Sequence, residues 1–211
     1  MEPTLTLDPA KASGPAAAGA LLSGFDDPVA DAQAVFRAAL HALSHPGRVT
    51  PLAVRSGVPR GLSPAMTAVL LTLADGDAPL WLPSGVGADM ARFLRFHCGC
   101  RIVARPDMAT FAAVPAGFEP PALADCNPGE PAYPDRSATL IIEVASLQEG
   151  EPLRLTGPGI RDTQELRVSG LPAGFLAQWQ ANHRCFPLGV DVLLTSGRQL
   201  CGLPRTCRME A

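Results

Sequence analysis

The closing stretch of this chain leaves the fewest choices of fold. Phe186-Pro187-Leu188-Gly189 carries turn chemistry, Val190-Asp191-Val192-Leu193-Leu194 reads as a strand too apolar for a surface, and Ser196-Gly197 marks a reversal. A second strand returns to Leu203-Pro204-Arg205-Thr206-Cys207-Arg208, where Pro204 stiffens the backbone beside Arg205. Opposite charges, Asp191 and Arg205, therefore sit on rigid elements near one end of a sheet. Such an arrangement suits an interface, an anion site or a structural ion pair.

Upstream, local signals place the other elements. Asp27 is the expected N-cap of a helix with Pro28 at its first position, and His45-Pro46-Gly47 ends that helix. Val29, Ala32, Phe36, Ala39, Leu40 and Leu43 follow at helical spacing and predict its apolar face. Ser63-Pro64 opens a second helix over 65–73, and 87–97 predicts a third, stopped by Gly99. Short strands are expected at 78–82, 101–104 and 109–113. Ala138 to Val144 is the clearest central strand. Two further strands, 152–155 and 165–168, flank Gly157-Pro158-Gly159, and a last helix is expected over 172–184. Between 114 and 137 lies a proline-rich connection, long enough to be a functional loop or a wrapping arm. Residues 1–23, rich in Ala, Gly and Pro, predict a mobile tail ahead of a single domain over 24–211. Helices and strands mix without strict alternation, which predicts an α/β class with a mixed sheet flanked by helices.

Charge and composition narrow the function. A net charge of −3 argues against nucleic acid as a partner. No apolar run reaches a membrane span, and no signal peptide begins the sequence, so a soluble, cytoplasmic chain with reduced thiols is expected. Lys11 is the only lysine among 17 basic residues. A Schiff-base lysine and a P-loop lysine are both excluded from the predicted domain.

Other motifs divide between chemistry and packing. Gly61-Leu62-Ser63-Pro64-Ala65 has the outline of a hydrolase elbow, but Pro64 lacks the N–H that the oxyanion hole needs, and Ser63 reads as an N-cap. His97-Cys98-Gly99-Cys100 clusters three soft ligands, and a zinc site would need a second pair such as Cys201 and Cys207. The alternative is a helix end with packed thiols. Gly157 and Gly159 would form an anion-binding turn, although Pro158 removes one donor, or simply a tight connection. Arg48, on the loop pinned by Pro46-Gly47, is either an anion contact or a surface charge. No paired carboxylates and no Ser/His/Asp set have a spacing that marks a catalytic centre.

Three blocks together resemble one family. They are Gly24-Phe25-Asp26-Asp27-Pro28 with Phe36-Arg37-Ala38-Ala39-Leu40 and His45-Pro46-Gly47-Arg48; Phe93-Leu94-Arg95-Phe96-His97; and Phe186-Pro187-Leu188-Gly189-Val190-Asp191 with Leu203-Pro204-Arg205-Thr206. Tyr133-Pro134-Asp135-Arg136 and Gly157-Pro158-Gly159-Ile160 lie between them in the same order. The chain over about 24–208 resembles the H subunit of the carbon–phosphorus lyase core complex, the bacterial phosphonate-degradation machinery. Cys98 and Cys207 stand where the family pattern suggests Thr or another small polar residue.

The resemblance implies a fold like that of pyridoxal-phosphate-dependent transferases, without their cofactor. It implies a homodimer in isolation and a larger assembly with the G, I and J subunits. With those partners, phosphonate would be joined to ribose C1′ of a nucleoside triphosphate as the purine base leaves. It supplies no catalytic residue, and no metal or cofactor is expected. Arg48, Asp191, Arg205, Thr206, Gly157 and Gly159 are the candidates for an interface or anion-facing cluster. Two other readings compete: a stand-alone transferase that clamps a phosphorylated small molecule with arginines, and a metal module built on His97 and the cysteines.

Overall fold

The computed structural model describes residues 21–211. Of the tail expected at 1–23, residues 1–20 lie outside the described residues, as does Lys11. Leu22 and Ser23 are held to the body, the Leu22 carbonyl by His97 Nε2 at 2.9 Å and the Ser23 carbonyl by the Gly57 N–H at 3.0 Å.

The described residues form four α-helices and ten strands: α1 (Pro28–Ser44), β1 (Val49–Pro51), α2 (Pro64–Leu73), β2 (Leu80–Trp81), α3 (Ala88–Cys98), β3 (Ile102–Val103), β4 (Phe111–Val114), β5 (Thr139–Glu143), β6 (Pro152–Thr156), β7 (Gln164–Arg167), α4 (Phe175–Arg184), β8 (Asp191–Ser196), β9 (Gln199–Leu203) and β10 (Arg208–Glu210). Seven of the strands form one mixed sheet in the order β1-β9-β8-β5-β4-β2-β3. From β8 to β3 the neighbours run parallel, while β9 returns antiparallel to β8 and β1 to β9. The class is α/β with a mixed sheet.

Side-chain alternation splits the core in two. Ile141, Leu193 and Leu200 face a cluster with Val35, Ala39 and Ala42 of α1, Met66 and Leu70 of α2, and Phe93 and Leu94 of α3. Their strand neighbours Leu140, Ile142, Val192, Leu194, Cys201 and Leu203 face a second cluster with Phe175 and Trp179 of α4. That second layer also holds a small sheet of order β10-β6-β7, which contributes Leu155, Leu166 and Met209. The strands read at 152–155 and 165–168 thus belong to a separate sheet, completed by the last residues of the chain.

Local signals acted where they were read. Asp27 Oδ1 accepts the N–H groups of Val29 and Ala30 at 3.1 and 3.0 Å, and Ser63 Oγ accepts that of Met66 at 3.1 Å. Gly99 adopts a left-handed φ of 64° as it closes α3. Two expectations need correction. The last helix starts at Phe175 rather than 172, because Gly174 at φ 72° turns the chain first. On α1 the buried face is Val35, Ala39 and Ala42, whereas Val29, Phe36 and Leu40 are exposed. The cause is close packing of α1 on β9: a Cβ on Gly202 would lie 2.4 Å from the Ala42 carbonyl carbon.

The proline-rich connection behaves as a wrapping arm. It forms short 3-10 turns at Leu123–Asp125 and Pro134–Arg136 and buries Leu123 and Cys126 beneath α4. The Leu123 N–H is bound by Gln178 Oε1 at 3.0 Å, and the Pro128 carbonyl accepts the Gly189 N–H at 2.9 Å.

Candidate functional site

Asp191 opens β8 and Arg205 follows β9, so hairpin geometry alone brings their backbones together. Asp191 Oδ1 accepts the Arg205 backbone N–H at 2.7 Å and its Nε–H at 3.2 Å, while Oδ2 accepts Nη2–H at 2.7 Å. The guanidinium also reaches the arm and the preceding turn. Nη1 donates to the Pro134 and Pro187 carbonyls at 3.0 and 3.4 Å, and Nη2 to Ser137 Oγ. Each nitrogen of the fork is engaged within the chain, and the two side chains keep only 20% and 12% of their surface exposed. This is a planar donor set used to knot four segments.

One face of α4 fastens the same knot from below. Trp179 Nε1 donates to the Cys207 carbonyl at 2.9 Å, and Asn182 exchanges two bonds with the Val190 backbone at 2.9 and 2.8 Å. His183 Nδ1 donates to the Arg205 carbonyl at 2.9 Å, and its Nε2 accepts from Arg208 Nε at 3.2 Å. A carbonyl only accepts and a guanidinium only donates, so both bonds together require the neutral ring with its proton on Nδ1. In the sequence Trp179 reads, with Phe175 and Leu176, only as an apolar residue of the last helix, and Asn182 and His183 belong to no motif. Their i, i+3, i+4 spacing was the available signal.

The other candidates lie along the adjoining seam. Gly157 (φ 133°) and Gly159 (φ 84°) form a turn wedged between the end of α1 and the 204–207 segment. A Cβ on Gly159 would meet the Ser44 carbonyl oxygen at 2.2 Å, and one on Gly157 the Thr206 carbonyl oxygen at 2.9 Å. Thr206 therefore touches this turn through its backbone. Three sequence-distant blocks (44–48, 157–160 and 204–207) converge here. Arg48 is exposed on the first of them, and its side chain has no ion-pair or hydrogen-bond partner among the described residues.

At the far end of β5 lies an acid that the sequence reading left inside a nearly apolar strand. Glu143 Oε2 accepts Ser63 Oγ–H at 2.6 Å and Thr195 Oγ1–H at 2.5 Å, and Oε1 accepts the Gly197 N–H at 3.1 Å. Ser63 Oγ also accepts the Met66 N–H as the N-cap of α2, and Pro64 after it has no N–H to offer an oxyanion hole.

The soft ligands are dispersed. Cys100 belongs to the helical side of the sheet and Cys201 and Cys207 to the other, with the sheet between them. His97 donates to Leu22, while Cys98 and Cys100 donate to the Leu70 and Leu94 carbonyls at 3.5 and 3.8 Å. Among the described residues no three His, Cys, Asp or Glu side chains gather as a metal site. Burial pushes the Cys126, Cys201 and Cys207 thiols up to about 12. The two neighbouring thiols shift each other in opposite directions, Cys98 upward with burial adding to it and Cys100 down to about 7. No helix of the described residues is long and apolar enough to cross a membrane.

Residues 23–210 match the family model described as bacterial phosphonate metabolism protein PhnH. The chain is 38% identical over 187 residues to the alpha-D-ribose 1-methylphosphonate 5-triphosphate synthase subunit PhnH of Rhizobium meliloti, covering 88% of this chain and 94% of that protein. It is 37% identical over 181 residues to the putative C-P lyase subunit protein HtxG of Stutzerimonas stutzeri, covering 84% and 85%.

Proposed function

Since the chain belongs to the PhnH family of bacterial phosphonate metabolism proteins, we propose that it is the matching subunit of a multi-subunit assembly that makes ribose 1-methylphosphonate 5-triphosphate. The observation that carries this reading is the 38% identity sustained over 94% of a protein named as that synthase's subunit. The assembly would join a phosphonate oxygen to ribose C1′ of a nucleoside triphosphate while the bond from C1′ to the purine nitrogen breaks and the base departs. Partners on this reading are the G, I and J subunits, the compartment is the cytoplasm, and the free chain is a homodimer. The domain over 24–211 acts as one unit, related in shape to pyridoxal-phosphate-dependent transferases but working without that cofactor.

The chain's part is structural or co-catalytic rather than a complete active site. The bonding of Arg205 supports this, because its donors are spent on Asp191, Ser137 and two carbonyls and none is left for a substrate anion. Among the six candidates, Arg48 keeps an unengaged charge among the described residues and is the one placed to meet an anion or a partner. Asp191, Arg205, Thr206, Gly157 and Gly159 hold the shape of the surface beside it.

Co-expression with the G, I and J subunits tests the reading: a tagged chain should bring all three down in fixed ratio. The gene should also restore growth on methylphosphonate, as sole phosphorus source, to a strain lacking its own H subunit. Absence of both would overturn the assignment. Turnover by the purified chain alone would favour a stand-alone transferase.

A further inference from the structure

Two thiols stand one residue apart where α3 ends. Cys98 is the last residue of the helix, Gly99 bends the chain at φ 64° and ψ 8°, and Cys100 follows. A residue in that left-handed conformation folds its two neighbours toward each other, which brings their Cα atoms within the roughly 4.4–6.8 Å that a disulfide spans. Both thiols are free, and their burial is unequal: Cys98 is half-buried and Cys100 fully so. A Cβ built on Gly99 would meet nothing within 4 Å, so the bend is open and a small molecule has room beside Cys98.

Little commits the two sulfurs to staying as thiols. Cys98 Sγ–H reaches the Leu70 carbonyl in α2 at 3.5 Å, and Cys100 Sγ–H reaches the Leu94 carbonyl in α3 at 3.8 Å. A thiol is a weak donor, so giving up both bonds costs little. Thiol–disulfide exchange needs a thiolate, and one is at hand near neutral pH because the adjacent Cys98 holds Cys100 down to about 7. The other cysteines lack this setting. Cys126, Cys201 and Cys207 are buried and pushed up to about 12, and exposed Cys185 has no second cysteine beside it in the sequence.

We propose that Cys98 and Cys100 form a redox modification site, a dithiol that closes reversibly to a disulfide when a small disulfide of the glutathione class reaches it. Cys98 Sγ, its proton passed to the Cys100 thiolate, attacks one sulfur of the small disulfide and the first small thiolate leaves. Cys100 gives its proton to that departing thiolate and attacks Cys98 Sγ, which expels the second. Counted from the neutral dithiol, two S–H bonds and one S–S bond are spent, and one S–S bond and two S–H bonds form. The protein is oxidised by two electrons and the small disulfide is reduced by the same two. A ring closed over a single residue is strained, so its bond is easily reduced and the modification reverses.

The test treats the reduced, folded full-length chain with oxidised glutathione, followed by acid quench, alkylation and peptide mass mapping. Trypsin cuts after Arg95 and Arg101, so peptide 96–101 carries both sulfurs. Cys98 and Cys100 should be lost together as one internal link with no glutathione retained on either, and dithiothreitol should return both. Cys185 in the same sample should keep a glutathione adduct. Cys100→Ser should leave glutathione on Cys98, since nothing remains to displace it; if that variant does not fold, the wild-type map alone decides. A wild-type chain that keeps glutathione on Cys98 with Cys100 free would overturn the proposal. So would both thiols remaining free while Cys185 is fully modified.

Discussion

Asp191 holds Arg205 twice over, by the backbone N–H at 2.7 Å and by Nη2 at 2.7 Å, so one carboxylate fixes both the course of the chain and the plane of the guanidinium. Removing it strands a mostly buried charge and frees the turn that carries Thr206. Asp191→Ala should therefore lower stability by about 2–4 kcal/mol, read as a shift of the urea midpoint at unchanged slope. Asp191→Asn keeps an acceptor for the backbone N–H and should cost about half of that. A change below 1 kcal/mol for the alanine variant would mean that the knot contributes little. An arginine that faced a free anion would show the reverse, with stability indifferent to Asp191.

Glu143 ties the N-terminus of α2 to the β8–β9 turn through Ser63, Thr195 and Gly197. A glutamine offers one acceptor oxygen where the carboxylate offered two. If that oxygen serves the two hydroxyls, the new NH2 faces the Gly197 N–H, donor against donor. Glu143→Gln should cost about 1–3 kcal/mol. Hydrogen exchange should report it first at Gly197 and Met66, the amides at the two ends of this link. Unchanged protection at both would sever the proposed tie.

Local chemistry was legible in the sequence, and long-range selection was not. Asp27-Pro28, Ser63-Pro64 and Ser196-Gly197 each specify a boundary within a few residues, and the chain obeys them. The buried face of α1 was not decidable locally, because two sets of apolar residues have helical spacing. The choice is made by Gly202, some 160 residues away, which lets Ala42 approach β9. Likewise Arg205 could be recognised as a fixed charge, yet its partners Pro134 and Ser137 come from an arm about 70 residues upstream. Glu143 sat in plain view at the end of an apolar strand. What it binds depends on where α2 begins in space.

The buried thiols give the chain an alkaline limit. Cys126, Cys201 and Cys207 are pushed by burial from an ordinary 9.0 to about 12. A raised folded-state value means that the native chain keeps protons the unfolded chain has already released. The protection they give is complete below pH 9 and is lost as pH rises from 9 toward 12. Each thiol then costs up to about 1.4 kcal/mol per pH unit in that window. Unfolding free energy should accordingly fall steeply above pH 9, and Cys201→Ala should make the slope shallower by one thiol's share, despite a lower starting stability from the cavity it leaves. At pH 8 these buried thiols keep their protons and are shielded from reagent, so iodoacetamide should label exposed Cys185 and leave all three until the chain unfolds. Labelling of Cys201 or Cys207 at the rate of Cys185 in the folded protein, or a flat stability profile between pH 9 and 11, would show that burial does not hold these protons.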